Sequence, residues 1–428
     1  MNRYANLAAL GLIPAPFRTD ASAAPEKPGR LMSLDIYRGL VIVVMTLVNC
    51  LSPVQGVPAW SKHWPEALDG YTYVDVVFPA FLFIVGVAIP FALGRRLSRG
   101  DSLPALMGKI LARSGVLILL GVITVNPHYF QHAGPLSKPS WFLLVMVCAL
   151  GIWNTTPAGA SPAYVHTRRV VQVAAAVGLV VLLALFRATN DAGQATWLHT
   201  AYWGMLGMIG WAYLVASLCW LALRKNAAGL MGAMGFMLCF YIGIRQGALH
   251  CSALGWLGYS PKHFANAAFI LGSNPATVMM GVLVGNCLLG PKDAASDRRR
   301  LRFMLVFGAG LYVTGVLLRP LHGINKSDHT AAYALVTGGI SCVLFALVYW
   351  GVDVKGWRFW NGFLAPLGQN ALLAYILPEM VDNAFAIFGL SAYWSKADLS
   401  GELSAVALTV LLLTVMWLLT RARLVMKL

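Results

Sequence analysis

Charge is what this sequence has least of. Only 11% of its 428 residues are Asp, Glu, Lys or Arg, against 58% hydrophobic. Soluble domains carry about 25% charged residues, so a soluble globular enzyme is excluded. Acidic residues are scarcer than basic ones, 16 against 32, for a formal charge of +16. Cysteine is sparse and unpatterned. The seven cysteines show neither paired nor metal-ligand spacing, which leaves no readable metal site and no disulfide framework. Five of them (Cys148, Cys219, Cys239, Cys287 and Cys342) lie in apolar runs, where a thiol packs as a small hydrophobe. Cys50 and Cys251 are placed to meet an oxidising compartment, with nothing that pairs them. The N-terminal stretch MNRYANLAALGLIPAPFRTD is weakly apolar and lacks a small-residue cleavage site. It predicts no cleaved signal peptide, and 1–30 reads as a cytoplasmic segment ahead of a membrane domain over 31–428.

What the sequence has is apolar length. About 20 apolar residues span a bilayer as a helix, and a helix satisfies its own backbone there. Twelve such runs fall at 34–51, 72–94, 105–125, 141–157, 169–187, 200–223, 227–245, 266–289, 303–319, 331–351, 361–381 and 402–420. The expected fold is an all-α polytopic transmembrane bundle of about 11–12 spans, with the lipid bilayer as its first partner. The 42 glycines suit close helix packing in such a bundle. Of the 32 Lys and Arg, 24 fall in or beside one alternate set of loops and 8 in the other. That asymmetry is the positive-inside bias. It places both termini in the cytoplasm and accounts for the basic excess without nucleic acid.

On this topology every histidine but His166 lies on or near the outer face: His63, His128, His132, His199, His250, His263, His322 and His329. Histidine is suited to proton transfer near neutral pH, although interfacial histidines are also common. Three constellations concentrate polar chemistry. In SLDIYRGL (33–40), Asp35 and Arg38 share a helical face. They form either an i,i+3 ion pair at the headgroups or, through Arg38, a grip on a phosphate. The loop 49–70 carries Asn49, Trp60, His63, Trp64 and Asp69, and leads into YTYVDVVFPAF. There Thr72 and Asp75 match a capping box, and Pro79 should free a backbone carbonyl. The third, RPLHGINKSDHTAAY (319–333), packs Arg319, Lys326, two histidines and Asn325 into one short loop. Charged residues close to membrane depth are functional candidates by default.

The blocks RLMSLDIYRGLVIVVMTLVN (30–49) and YTYVDVVFPAFLFIVGVAI (71–89) resemble the signature of the heparan-α-glucosaminide N-acetyltransferase family. The likeness is to its bacterial branch, a domain of unknown function in the transmembrane acyltransferase superfamily. WGMLGMIGWAYLVA (203–216), NPATVMMGVLVG (274–285), LLRPLHGINKSDHTAAYALVTGG (317–339) and PLGQNALLAYILPE (366–379) resemble later blocks in the same order. The resemblance covers about 30–380. It implies an enzyme that takes acetyl-CoA from the cytoplasm and passes the acetyl group to a carbohydrate acceptor, often an amino sugar, at the opposite face. In a bacterium that enzyme sits in the inner membrane and faces the periplasm. Relatives suggest a homodimer.

The resemblance also implies a site. The family's catalytic histidine and the asparagine ending the first conserved helix correspond to His63 and Asn49. The chain departs from the pattern in that His63 to Gly70 spans seven residues where the family has five, and Leu68-Asp69-Gly70 replaces Trp-Asn-Gly. The expected catalytic set is His63 as base or transient acetyl carrier, Asn49 as oxyanion donor and Asp75 orienting His63. Arg38, Lys109, Arg113 and Arg302 are available to the phosphates of CoA, or are positive-inside anchors. Trp60, Trp64, Asp69, Asn325, Lys326 and Asn370 are the expected acceptor contacts, with the two tryptophans equally suited to an aromatic belt. A sugar transporter and a non-catalytic sugar sensor are the rival readings. Neither needs the thioester.

Overall fold

A computed structural model describes residues 31–155, 159, 161–189, 193–247, 266–290, 293–390, 399–422 and 424–426. The segment 1–30, His250, Cys251 and His263 lie outside the described residues. The main elements are α1 (Met32–Leu51), α2 (Tyr73–Ser98), α3 (Leu103–Val125), α4 (Lys138–Trp153), α5 (Pro162–Leu185), α6 (Gly204–Leu223), α7 (Ala227–Arg245), α8 (Asn274–Leu288), α9 (Ala294–Leu317), the short α10 (Arg319–His322), α11 (Ala331–Tyr349), α12 (Leu364–Gln369), α13 (Ala371–Ile387) and α14 (Leu399–Arg421). Among the described residues ten helices are long and apolar enough to cross a bilayer. The 16-residue α4 and the broken pair α12–α13 supply the two further runs. The chain is a polytopic helical membrane protein.

The helices gather into two compact units that interleave along the sequence. One comprises 31–34, Trp64–Ser114 and Ile209–Trp357; the other comprises Asp35–His63, Gly115–Met208 and Arg358–Leu428.

In the first unit, α2 packs on α8 and α9 packs on α11 with almost no space between backbones. A Cβ on Gly86 would sit 1.9 Å from the Val278 carbonyl oxygen, and one on Gly281 would sit 2.0 Å from that of Phe83. Bare glycine lets two helices approach to this distance, which is how a bundle gains packing where lipid offers no hydrophobic drive. Pro79 lies inside α2 and has no N–H for the carbonyl four residues back. That carbonyl, on Asp75, accepts a hydrogen bond from the Tyr333 hydroxyl of α11 at 2.6 Å.

In the second unit, α4, α5 and α13 surround a core of Trp141, Phe142, Phe186, Leu373 and Ile376. The Trp141 indole donates to the Leu182 carbonyl at 2.9 Å. A small antiparallel sheet, β1 (Phe130–Ala133), β2 (Phe186–Thr189) and β3 (Ala195–Thr196), covers one end of these helices. The chain breaks between α12 and α13 at Asn370, which is fully buried. Its amide donates to Thr420 Oγ1 and the Leu424 carbonyl, and its Oδ1 accepts from the Met426 N–H.

Candidate functional site

Asp75 joins several segments of the first unit. Its position in the first turn of α2 follows from the Thr72 cap, and only 1% of it is exposed. Its Oδ2 accepts from the backbone N–H of Thr72 at 2.9 Å, the Thr72 hydroxyl at 3.2 Å and the backbone N–H of Trp64 at 3.0 Å. Its Oδ1 lies 3.8 Å from the Lys326 ammonium. A carboxylate that accepts from three donors ties together the backbone segments that supply them. What it holds includes the backbone of Trp64, the residue that follows His63 in the chain.

The stretch around Asp69 is stitched to the loop after α10. Asp69 Oδ2 accepts from Arg319 Nε at 2.6 Å, and Oδ1 accepts from the Ile324 N–H at 2.7 Å. Those two donors, the backbone one first, hold the Asp69 carboxyl below its ordinary range. The Gly70 N–H returns a bond to the Ile324 carbonyl at 3.0 Å. Gly70 has φ +156°, and a Cβ there would strike the Trp64 ring at 2.7 Å, so glycine is required on steric grounds. The Asn325 amide donates to the Glu66 carbonyl, and its Oδ1 accepts from the Asp328 N–H at 3.1 Å. Trp64, Asp69, Asp75, Asn325 and Lys326, expected from sequence to act together, are thus brought together in one patch.

Burial depresses the pKa of Lys326, while Asp75 and Glu66 oppose the shift. Three residues on, His329 is only 8% exposed and has φ +49°. Its ring lies between those of Phe78 and Phe269, at centroid distances of 5.9 and 5.1 Å, and its Nδ1 is buried without a partner. Burial first, and the Lys326 charge second, push its pKa down to about 4. Sequence reasoning listed His329 with the other outer histidines and had no means to single it out.

The second unit holds Asn49, Trp60, His63 and Asn370. Asn49 is exposed two residues before the end of α1, and His63 and Trp60 are exposed, Trp60 at 66%. Cys50, next to Asn49, packs with Val54, Ala405 and Leu408 against Leu377, Val381 and Phe385 of α13. The bonds of Asn370 to the segment 420–426 use both ends of its amide, so the structure places it in a tie between α12–α13 and the chain end.

The four cations expected at the cytoplasmic side differ in their engagements. Arg38 lies 3.9 Å from Asp35, as the ion-pair reading requires. Lys109 pairs with Asp101 at 2.7 Å in solvent. Arg113 stacks its guanidinium 4.6 Å from the Tyr213 ring centroid and leaves Nε buried without a hydrogen bond. Arg302 is exposed. Arg300, two residues earlier, is turned inward onto Asp297 and the carbonyls of Cys287 and Gly290.

Residues 30–287 match the family model described as Domain of unknown function (DUF5009). Heparan-alpha-glucosaminide N-acetyltransferase of Mus musculus is 26% identical over 421 residues, covering 90% of this chain and 59% of the mouse protein. The Homo sapiens protein of the same name is 27% identical over 402 residues, covering 84% of this chain and 54% of the human protein. The chain thus spans between half and three-fifths of the length of these curated relatives. Both relatives are named as acetyltransferases, and the transporter reading gains no support from them.

Proposed function

The chain belongs to the DUF5009 family, and from that premise we propose that it is a membrane-embedded acetyltransferase. It moves an acetyl group from cytoplasmic acetyl-CoA to an amino sugar or other carbohydrate at the outer, periplasmic face of a bacterial inner membrane. The observation that carries this reading is similarity over 84–90% of the chain to proteins named as acetyltransferases of a glucosaminide. A polytopic membrane fold suits it, because donor and acceptor are then met from opposite sides. A homodimer is part of the same proposal.

The chemistry asks for few groups. His63 takes the proton from the attacking amine or hydroxyl, or carries the acetyl group itself. Asn49 donates to the oxyanion as the thioester carbonyl is attacked, and the thiol of CoA leaves. Asp75 acts through the backbone. By fixing Trp64 it fixes the point in the chain from which the 49–63 loop departs. Lys326, held beside Asp75 at the same outer patch, and Asp69, Trp64 and Trp60 are the acceptor-side groups. Arg38, Lys109, Arg113 and Arg302 are the cations for the CoA phosphates; Arg113 has one buried guanidinium nitrogen, Nε, without a partner.

Release of free CoA thiol from acetyl-CoA by the purified protein in detergent tests this. Glucosamine should stimulate release, and His63→Ala should reduce the stimulated rate by about 10²-fold or more, the scale of losing a general base. Release that is equal in wild type and in the folded variant would remove His63 from the mechanism. No release with any acceptor would remove the acetyltransferase reading.

A further inference from the structure

In the second unit α4 and α5 run side by side, and the end of their seam leaves a cleft. A Cβ on Gly151 would lie 2.9 Å from that of Ala175, and Gln172 Nε2 donates to the Ile152 carbonyl at 3.0 Å. Beside this tight contact lies an open cleft of about 200 Å³. Asn154, which ends α4, and Tyr164, Thr167, Arg168 and Val171 of α5 line it.

The polar side chains of the cleft are uncommitted. Among the described residues Arg168 makes no ion pair and no hydrogen bond. The Thr167 hydroxyl, the Tyr164 hydroxyl and the Asn154 amide likewise have no partner within the protein, and Asn154 Oδ1 is buried in that state. A buried acceptor left so is destabilising until a donor reaches it. No Asp or Glu occurs between Asp101 and Asp191, so neither helix offers Arg168 a carboxylate. The end of α4 offers it only the partial negative charge of a helix terminus. The Thr155 N–H donates to the Val425 carbonyl at 3.0 Å, and Asn154 bridges to Met426. The chain end that meets α4 here, RARLVMK (421–427), is itself basic.

The helix that carries Arg168 is open to its surroundings. Among the described residues α5 is the least buried of the ten candidate spans, and Val171, inside the cleft, is 49% exposed. HTRR (166–169) belongs to the loop set that the positive-inside bias assigns to the cytoplasm. Arg168 stands where this basic stretch gives way to the apolar length of α5. Basic pockets between helices at the cytoplasmic side suit anionic lipid headgroups.

We propose that the α4–α5 cleft binds the headgroup of an anionic phospholipid that carries a free hydroxyl. Arg168 takes the phosphate with its planar fork, Thr167 and Tyr164 donate to the remaining phosphate oxygens, and Asn154 Oδ1 accepts from the headgroup hydroxyl. The acyl chains stay in the bilayer beside α5. A choline headgroup is disfavoured, because its ammonium meets a guanidinium and no carboxylate, and it brings no donor for Asn154.

Native mass spectrometry of the purified full-length protein in detergent, titrated with dioleoyl phosphatidylglycerol or dioleoyl phosphatidylcholine, tests this. Wild type should bind the glycerol lipid about tenfold more tightly than the choline lipid, and Arg168→Gln should bring that ratio to within about twofold. Arg168→Lys should keep part of the preference, since the charge persists and the fork is lost. Asn154→Ala should weaken phosphatidylglycerol and leave phosphatidylcholine unchanged. Lys225→Gln, at an exposed cation of another basic loop, should change neither. A wild type without preference overturns the proposal, as does an Arg168→Gln protein that keeps the full one. If the glutamine variant does not fold, an unchanged preference in both Arg168→Lys and Asn154→Ala overturns it. Displacement of phosphatidylglycerol by an equal concentration of CoA or inorganic phosphate would make the cleft a soluble-phosphate site and overturn the lipid assignment. A changed oligomeric state in Arg168→Gln with the lipid preference intact would give the cleft to a second copy of the chain and overturn it equally.

Discussion

His329 carries a titration that its burial opposes. With a folded pKa of about 4 against an ordinary 6.5, the folded protein refuses a proton that the unfolded chain accepts between those values. Stability is therefore full above pH 6.5 and falls as pH drops towards 4, by about 3 kcal/mol across the window if the shift is fully expressed. His329→Asn removes the titration while tolerating the positive φ that asparagine adopts readily. Thermal unfolding in detergent should show a smaller loss of Tm between pH 7.5 and pH 5 in the variant than in wild type. Parallel losses would show that His329 is not the group being titrated. The contrast with Asp75 shows what was legible at this scale. Asp75 was marked as a cap by a motif four residues long, and the structure builds that cap from Thr72. His329 owes its burial to Phe78 and Phe269, which are hundreds and tens of residues away in the chain, and no local pattern encodes that.

At the scale of elements, the proline in α2 has a partner that makes it affordable. Pro79 leaves the Asp75 carbonyl without its helical donor, and the Tyr333 hydroxyl fills the place. Tyr333→Phe should cost about 1–2 kcal/mol by stranding that carbonyl. Pro79→Ala restores an N–H at position 79, so Tyr333→Phe made in that background should cost much less. Chemical unfolding of the two single variants and the double variant measures the coupling; additive costs would contradict the account. The sequence marked Pro79 and the freed carbonyl, but not the tyrosine that answers it, because that tyrosine comes from a helix 258 residues away. Helix ends were less legible than helix cores. α5 begins at Pro162, capped by Ser161, where the apolar run alone suggested 169; the first turns carry His166, Arg168 and Arg169 and so fall outside the apolar run. α6 begins at Gly204 rather than 200 because Ala201 and Trp203 have positive φ, a backbone conformation that side-chain hydropathy does not report.

At the scale of the molecule, hydropathy and the loop asymmetry of Lys and Arg were sufficient for a polytopic helical bundle, and the twelve runs recur as helices or helix pairs. The division into two interleaved units was not legible. Borders fall inside α1, α3 and α6 and within the 49–70 loop, where no linker or change of composition marks them, and one more falls between Trp357 and Arg358 in the connection from α11 to α12. Chemistry proposed at both membrane faces makes sidedness the central claim. Purified protein reconstituted into sealed liposomes of one orientation, with acetyl-CoA supplied only at the face bearing the basic loops and glucosamine only at the other, measures it directly. The account predicts N-acetylglucosamine on the glucosamine side and free CoA on the other, with both products lost in His63→Ala. Product that forms only when both substrates share one compartment would contradict it.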